Sequence, residues 1–305
     1  MKLSGVVPPI GTPLTDADRV DEAGLRRLNR YLIEAGVHAL LANGSMGGFA
    51  FLTPDEQVRS VAITLSEVNG AIPVIGGVGE TSTTRAVAIA KRLVREGVDY
   101  LSLLPPFYFL ATQAHLIAYF SEIAAAVDIP IFLYDNPVLT KNPIHPQTVA
   151  ELKRRIPRLT GIKVSNPDCM NLQELLKLTC CDTFSVLTGS EFLIPLHLRM
   201  GCDGFVVGLH NLCPHMAVAL YNAFKAGDLQ RADQLQEDMT ATWQLFQRGA
   251  IWGAFDEALR YLGICERGTG SPYITSLTDQ ERREVRSIVE QQIVKPYLST
   301  GVLRG

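Results

Sequence analysis

Eight short, nearly all-apolar runs recur along the first two-thirds of the chain, with helical patterns between them. They cover 5–9 (GVVPP), 39–43 (ALLAN), 73–77 (PVIGG), 100–104 (YLSLL), 131–134 (IFLY), 161–164 (GIKV), 184–188 (FSVLT) and 204–208 (GFVVG). A strand that is apolar on both faces is at home in a parallel sheet covered on both sides, and Gly, Pro, Asn or Ser near each run marks its end. The intervening segments 21–35, 83–96, 113–127, 146–155, 171–179 and 191–200 carry amphipathic helical spacing, as in Leu25, Leu28, Leu32 and Ile33. A further helix opens on Thr53-Pro54-Asp55-Glu56, with a hydroxyl N-cap, proline in the first turn and acidic residues behind it. Eight strands alternating with helices predict an α/β fold of the (β/α)8 TIM-barrel type over 1–213. A doubly wound open sheet is the competing arrangement, and strand number and spacing favour the barrel. From Pro214 onward only helices are expected, at 214–226, 228–247, 253–262 and 278–292. The region 214–305 therefore reads as a helical extension packed on the barrel.

With 305 residues, 47% of them hydrophobic, the chain is long enough for one large domain or two ordinary ones. A net charge of -3 gives no general attraction to nucleic acid or to an anionic membrane. The start, Met1-Lys2-Leu3-Ser4-Gly5, lacks a charged segment followed by a long apolar core, and no apolar run reaches the ~18 residues of a membrane span. A cytoplasmic location is the expectation, and the six cysteines, none in a C-x-x-C pair, are expected as free thiols. The six histidines are scattered, and His210 and His215 are spaced wrongly for one helix face, so no metal site is expected.

Barrels of this kind place their chemistry at the C-terminal ends of the strands. There lie the Gly-rich turn 43-NGSMGGF-49, 105-PPFYF-109, 134-YDNP-137, Lys163 and 188-TGSE-191. Lys163 sits between β-branched residues in an apolar strand. The ordinary reading is a packed stem with a head that reaches solvent. At the catalytic end of a barrel strand, desolvation would instead favour the neutral amine, a nucleophile for a ketone carbonyl. Tyr134 holds the matching place on the preceding strand, either as a rim aromatic or as a phenol able to shuttle protons to Lys163. The 44-GSMGG-48 turn is either a tight turn only, or a nest of amides with the Ser45 hydroxyl that receives a carboxylate.

Taken in order, these elements resemble the dihydrodipicolinate synthase / N-acetylneuraminate lyase family of class I aldolases. The likeness runs the whole length: Thr12-Pro13 after the first strand, G-[ST]-x-G near strand two, Y-x-x-P on strand five, G-I-K on strand six, G-S at Gly189-Ser190 and a helical C-terminal region. The resemblance implies that Lys163 forms a Schiff base with pyruvate or a pyruvoyl end and that Tyr134 is the general acid/base. It places Ser45 in the proton relay and the Ser45 and Met46 amides on the substrate carboxylate. It puts Tyr108 in a neighbouring subunit's site, and sets Val206, through its backbone, and Gly189 against the substrate. It further implies a homo-oligomer, a dimer of dimers, with a small 2-oxo acid as partner and no metal or organic cofactor.

Two departures stand out. The family pattern G-[ST]-[ST]-G-E is here Gly44-Ser45-Met46-Gly47-Gly48, with a thioether for the second hydroxyl and no carboxylate. Leu139 stands where the synthases carry the arginine that grips the second substrate's carboxylate, and Lys141 is the nearest cation. The sequence reading is accordingly a Schiff-base lyase acting between pyruvate and an aldehyde, on a 2-oxo-3-deoxy sugar-acid type of substrate. Leu139 is counted among its binding residues. A dehydratase or deaminase on the same scaffold, a true dihydrodipicolinate synthase, and a non-enzymatic 2-oxo-acid binding protein remain as alternatives.

Overall fold

The computed structural model describes residues 2–166, 168–269 and 275–298. Eight parallel strands form one sheet: β1 (Gly5–Val6), β2 (Leu40–Ala42), β3 (Val74–Val78), β4 (Tyr100–Leu103), β5 (Ile131–Asp135), β6 (Leu159–Val164), β7 (Ser185–Thr188) and β8 (Gly204–Phe205). Their order runs β1-β8-β7-β6-β5-β4-β3-β2. The ring closes where the chain beyond β1 meets β2: Leu41 N donates to Pro8 O at 2.9 Å and Ile10 N to Leu41 O at 2.9 Å. This is a (β/α)8 barrel with further helices after β8.

The helices between strands are α1 (Glu22–Glu34), α2 (Pro54–Val68), α3 (Thr83–Glu96), α4 (Gln113–Ala125), α5 (Pro137–Thr140), α6 (Pro146–Arg155), α7 (Cys169–Thr179) and α8 (Ile194–Met200). Beyond the barrel follow α9 (Pro214–Lys225), α10 (Leu229–Trp243), α11 (Ile251–Tyr261) and α12 (Asp279–Val289). Local chemistry sets their ends. Thr53 caps α2 by accepting from Glu56 N with Pro54 in the first turn, and Thr278 caps α12 with Glu281 reaching back. Helix α3 is held on the sheet by Ala86, Ile89, Ala90 and Leu93, a three-and-four spacing that faces the core. Truncating the fully buried Leu93 to alanine would cost about 2–5 kcal/mol.

Several boundaries differ from expectation for identifiable reasons. β1 stops at Val6 rather than at residue 9, because Pro8 and Pro9 have no N–H to continue the ladder. β8 stops at Phe205, where the chain tightens into a 3-10 turn over Gly208–Asn211. The helix expected at 191–200 begins only at Ile194, which leaves Glu191 and Phe192 in a loop. The expected 228–247 helix ends at Trp243 and finishes as a 3-10 turn, Gln244–Gln247. The last expected helix, 278–292, gives way after Val289 to a wider π-type winding over Glu290–Leu298 that contains Pro296. Of the expected helical region, 270–274 and 299–305 lie outside the described residues. Two short elements were not expected: a 3-10 turn over Phe49–Phe51 and the single-turn α5, which Asn136 caps by accepting from Leu139 N.

The later helices pack where they bear on the site. Gln236 of α10 donates to Glu191 O at 3.0 Å and accepts from Ile194 N at 3.1 Å, tying α10 to the loop after β7. Thr269 accepts from Thr12 N at 2.7 Å and lies against Gly48. Gly48 has φ +64, and a Cβ there would run into the Thr269 methyl. The place where the family pattern has a glutamate thus requires glycine in this chain, for both conformation and space.

Candidate active site

Tyr134 on β5 and Lys163 on β6 are direct register partners. Side chains of paired residues on neighbouring strands leave the same face, so both enter the barrel at its C-terminal end. Lys163 is 7% exposed and Tyr134 6%. The ammonium lies over the phenol ring, with Nζ 4.0 Å from its centroid. A desolvated cation over an aromatic face is attracted by roughly 2 kcal/mol, which partly offsets the lysine's lost hydration.

The phenol oxygen is the hub of the site. Asn136 Nδ2 donates to it at 2.8 Å. Burial pushes the phenol up, but the neighbouring Lys163 charge and the donors Ser165, Lys163 and Ser45 pull the other way, and Tyr134 ends below the ordinary phenol value. Ser45 Oγ is buried and makes no hydrogen bond of normal geometry, so it acts on the phenol as a nearby dipole. Gly189, at the end of β7, leaves room for this cluster: a Cβ there would collide with Ser165 Oγ and stand 3.1 Å from Lys163 Cε. A narrow pocket beside the phenol is lined by Asn43, Ser45, Phe49, Leu104 and Tyr134 among others.

Met46 is half-buried, and its Sδ packs against Gly208, at 2.9 Å from where a Cβ would stand. Val206 is buried and its N–H donates to Thr188 O at 2.7 Å, which fixes the chain beyond β8 against β7. Glu191 reaches the same region from the loop after β7. Its Oε1 accepts from Gly208 N at 2.9 Å, while Oε2 is out of solvent contact and has no hydrogen-bond partner among the described residues. Burial pushes this carboxyl up to about 7, against the pull of the Gly208 and Leu209 amides and of Lys163. Asp135, beside Tyr134 on β5, is likewise raised by burial, to about 6, although Ile144 N donates to it at 3.0 Å.

Two of the expected residues are exposed: Tyr108, expected to serve a neighbouring subunit's site, and Leu139. Tyr108 is 84% exposed, with φ +80, and packs edge-on to Phe109 rather than against Lys163 or Tyr134. Its loop is nonetheless pinned: Asn142 Nδ2 donates to Pro106 O at 2.7 Å and to Phe109 O at 2.9 Å. Leu139 is 61% exposed on α5, in the segment that follows the tyrosine strand. Lys141, the candidate substitute for an arginine, is turned back on the helix end, with Nζ donating to Val138 O at 2.7 Å.

Asn136, Ser165 and Glu191 were not singled out from the sequence, although all three fall in or beside strand-end motifs. The signal that would have found them is position: each lies within three residues of Tyr134, Lys163 or Gly189 at the catalytic end. Among the described residues no group of three or more His, Cys, Asp or Glu side chains is placed to hold a metal ion.

The sequence model of the dihydrodipicolinate synthetase family matches residues 2–292. The chain belongs to that family. It is thereby an enzyme of the class I, pyruvate-dependent aldolases, a carbon–carbon lyase family. An uncharacterized DapA-like lyase of Halobacterium salinarum is 33% identical over 280 residues, 92% of this chain and 91% of the relative. A 4-hydroxy-tetrahydrodipicolinate synthase of Methanopyrus kandleri is 34% identical over 240 residues, 78% of this chain and 79% of the relative. Among solved structures, that of YagE, a prophage protein of the dihydrodipicolinic acid synthase family from E. coli K12 in complex with pyruvate, superposes with a TM-score of 0.89. The two are 26% identical, with 95% of this chain and 98% of YagE covered. Among the described residues no helix is long and apolar enough to cross a membrane.

Proposed function

We propose that this enzyme makes and breaks a carbon–carbon bond between pyruvate and an aldehyde through an imine on Lys163, with a hydroxylated 2-oxo-3-deoxy acid as the joined substrate. The observation that carries this reading is the buried lysine set 4.0 Å over the phenol of Tyr134. The lysine amine adds to the C2 ketone as the carbonyl oxygen takes the phenol proton, and the phenolate recovers a proton from nitrogen. Loss of the C2 oxygen as water, with the proton again supplied by Tyr134, leaves a protonated imine. That cation draws in the electron pair of the C3–C4 bond as a base removes the C4 hydroxyl proton. Aldehyde and enamine result; protonation at C3 and hydrolysis release pyruvate and the amine. Ser45 joins the relay, the Ser45 and Met46 amides hold the carboxylate, and Val206 and Gly189 shape the wall around C2 and C3.

The substrate class rests on what surrounds the far end. Leu139 offers no charge to a second carboxylate, and Lys141 is bonded to Val138 O. Glu191 brings a buried carboxyl on the loop after β7, a poor neighbour for a second carboxylate. The synthase reading retains support from the naming of the M. kandleri relative. Borohydride trapping with pyruvate, followed by peptide mapping, tests the imine; label on another lysine, or none, overturns it. Pyruvate release from 2-oxo-3-deoxy acids is then set against condensation of pyruvate with aspartate semialdehyde, and efficient condensation would make the enzyme a synthase.

We also read the enzyme as a homo-oligomer. Tyr108, Phe109 and Leu110 are 84%, 75% and 81% exposed on one pinned loop, an apolar surface that a second copy would cover.

A further inference from the structure

We propose that Asn136 is a positioning residue for proton transfer, a clamp that joins the helix after β5 to the phenol oxygen of Tyr134. The proposal rests on the Schiff-base reading above and adds to it a residue that stands outside the family motif as read from the sequence, at the first variable place of Y-x-x-P but one.

The two ends of the Asn136 amide do different work. Oδ1 accepts from Leu139 N at 3.4 Å, capping α5, and only the oxygen end can do this. Nδ2 is therefore the atom that faces the phenol, where it donates at 2.8 Å. The residue is 7% exposed, and its bond to the phenol is buried, so water does not compete for that bond. The main chain is fixed as well: Asn136 O accepts from Thr140 N and from Thr140 Oγ1, each at 3.0 Å, and Pro137 sets the first turn.

A fixed donor on the phenol oxygen has two consequences. It fixes the phenol oxygen in place beside Lys163, Ser165 and Ser45, the groups among which protons must pass. It also strengthens when the oxygen becomes negative, because a hydrogen bond to an ion is about twice as strong as one between neutral groups. Asn136 therefore favours the phenolate that must form each time Tyr134 gives up its proton, without itself titrating. The ionisable group that faces this oxygen is Lys163 on β6; Glu191, on the loop after β7, acts on Lys163, and Asp135, the next residue of β5, leaves the opposite face and accepts from Ile144 N.

The test separates the cap from the clamp. Asn136→Asp keeps an equally good helix cap but replaces the donor with an acceptor that carries negative charge. Asn136→Ser keeps a capping oxygen too short to reach the phenol. Both variants are compared with the wild type for thermal midpoint, pyruvate–borohydride labelling, the pH profile of turnover, and phenolate absorbance, taken as the difference from Tyr134→Phe. The expected result is unchanged folding and retained labelling. Phenolate should appear at higher pH in both variants, most in Asn136→Asp, and turnover at neutral pH should fall roughly tenfold or more. If the wild type is labelled at Lys163 while both variants keep its phenolate titration and pH profile, the clamp is refuted and the Schiff-base reading stands. If the wild type is not labelled, the Schiff-base reading fails and the clamp falls with it.

Discussion

Replacing Glu191 by glutamine should remove a pH dependence from the folded state itself. In the native protein burial holds this carboxyl at about 7, against an ordinary value of 4.5. Between those values the folded chain keeps a proton that the unfolded chain has released, so stability falls as pH rises. The interval is about 2.5 units, and at about 1.4 kcal/mol per unit it corresponds to roughly 3 kcal/mol. The residue as a whole is only part-buried although Oε2 is sealed, and discounting for that leaves about 2–3 kcal/mol. Glutamine keeps the shape and an oxygen for Gly208 N but cannot ionise. Thermal or urea unfolding of both proteins at pH 5 and pH 8 measures the effect. The wild type should lose about 2–3 kcal/mol more than Glu191→Gln on going from pH 5 to 8, a relative shift of several °C in midpoint. Parallel curves would mean that Glu191 is not held out of water as described.

Tyr134→Phe should keep the fold and pyruvate binding while slowing turnover by ~10² or more, the usual scale for loss of a positioned proton-transfer group; near-normal turnover would remove Tyr134 from the mechanism. Sedimentation at micromolar concentration should give a dimer or tetramer, and Tyr108→Asp should push it toward monomer; a wild-type monomer would contradict the covering of that loop. His210 is fully buried with neither ring nitrogen hydrogen-bonded among the described residues, and burial holds it down to about 3. Here the unfolded chain binds the proton first, so stability is whole above about pH 6.5 and is lost as pH falls toward 3, at about 1.4 kcal/mol per unit. His210→Leu should flatten the acid limb of a stability–pH curve, and an unchanged limb would place the acid sensitivity elsewhere.

What the sequence by itself determined was the part of this protein encoded in short windows. Runs such as IFLY and GIKV declare buried parallel strands through their apolar faces, and Thr53-Pro54 declares a helix start, because period and capping are local properties. Eight such runs lead to a barrel, and a barrel leads to its strand ends, so Lys163 and Tyr134 are legible in the sequence. Their adjacency in register then follows from pairing of β5 with β6.

Only the tertiary structure decided what each group meets. Gly48 must be glycine because Thr269, more than two hundred residues later, fills the space beside it. Lys141 is bonded to a carbonyl three residues back, and Asn136 is turned onto the phenol by a single helical turn too short to be read as one. Glu191 stands outside α8 because the expected helix starts three residues late, and its carboxyl is raised by burial against the pull of the Gly208 and Leu209 amides. The physical reason is the same in each case. Backbone preference is set by neighbours in sequence, whereas desolvation, hydrogen-bond partnership and steric room are set by neighbours in space. In a closed barrel those come from every strand at once.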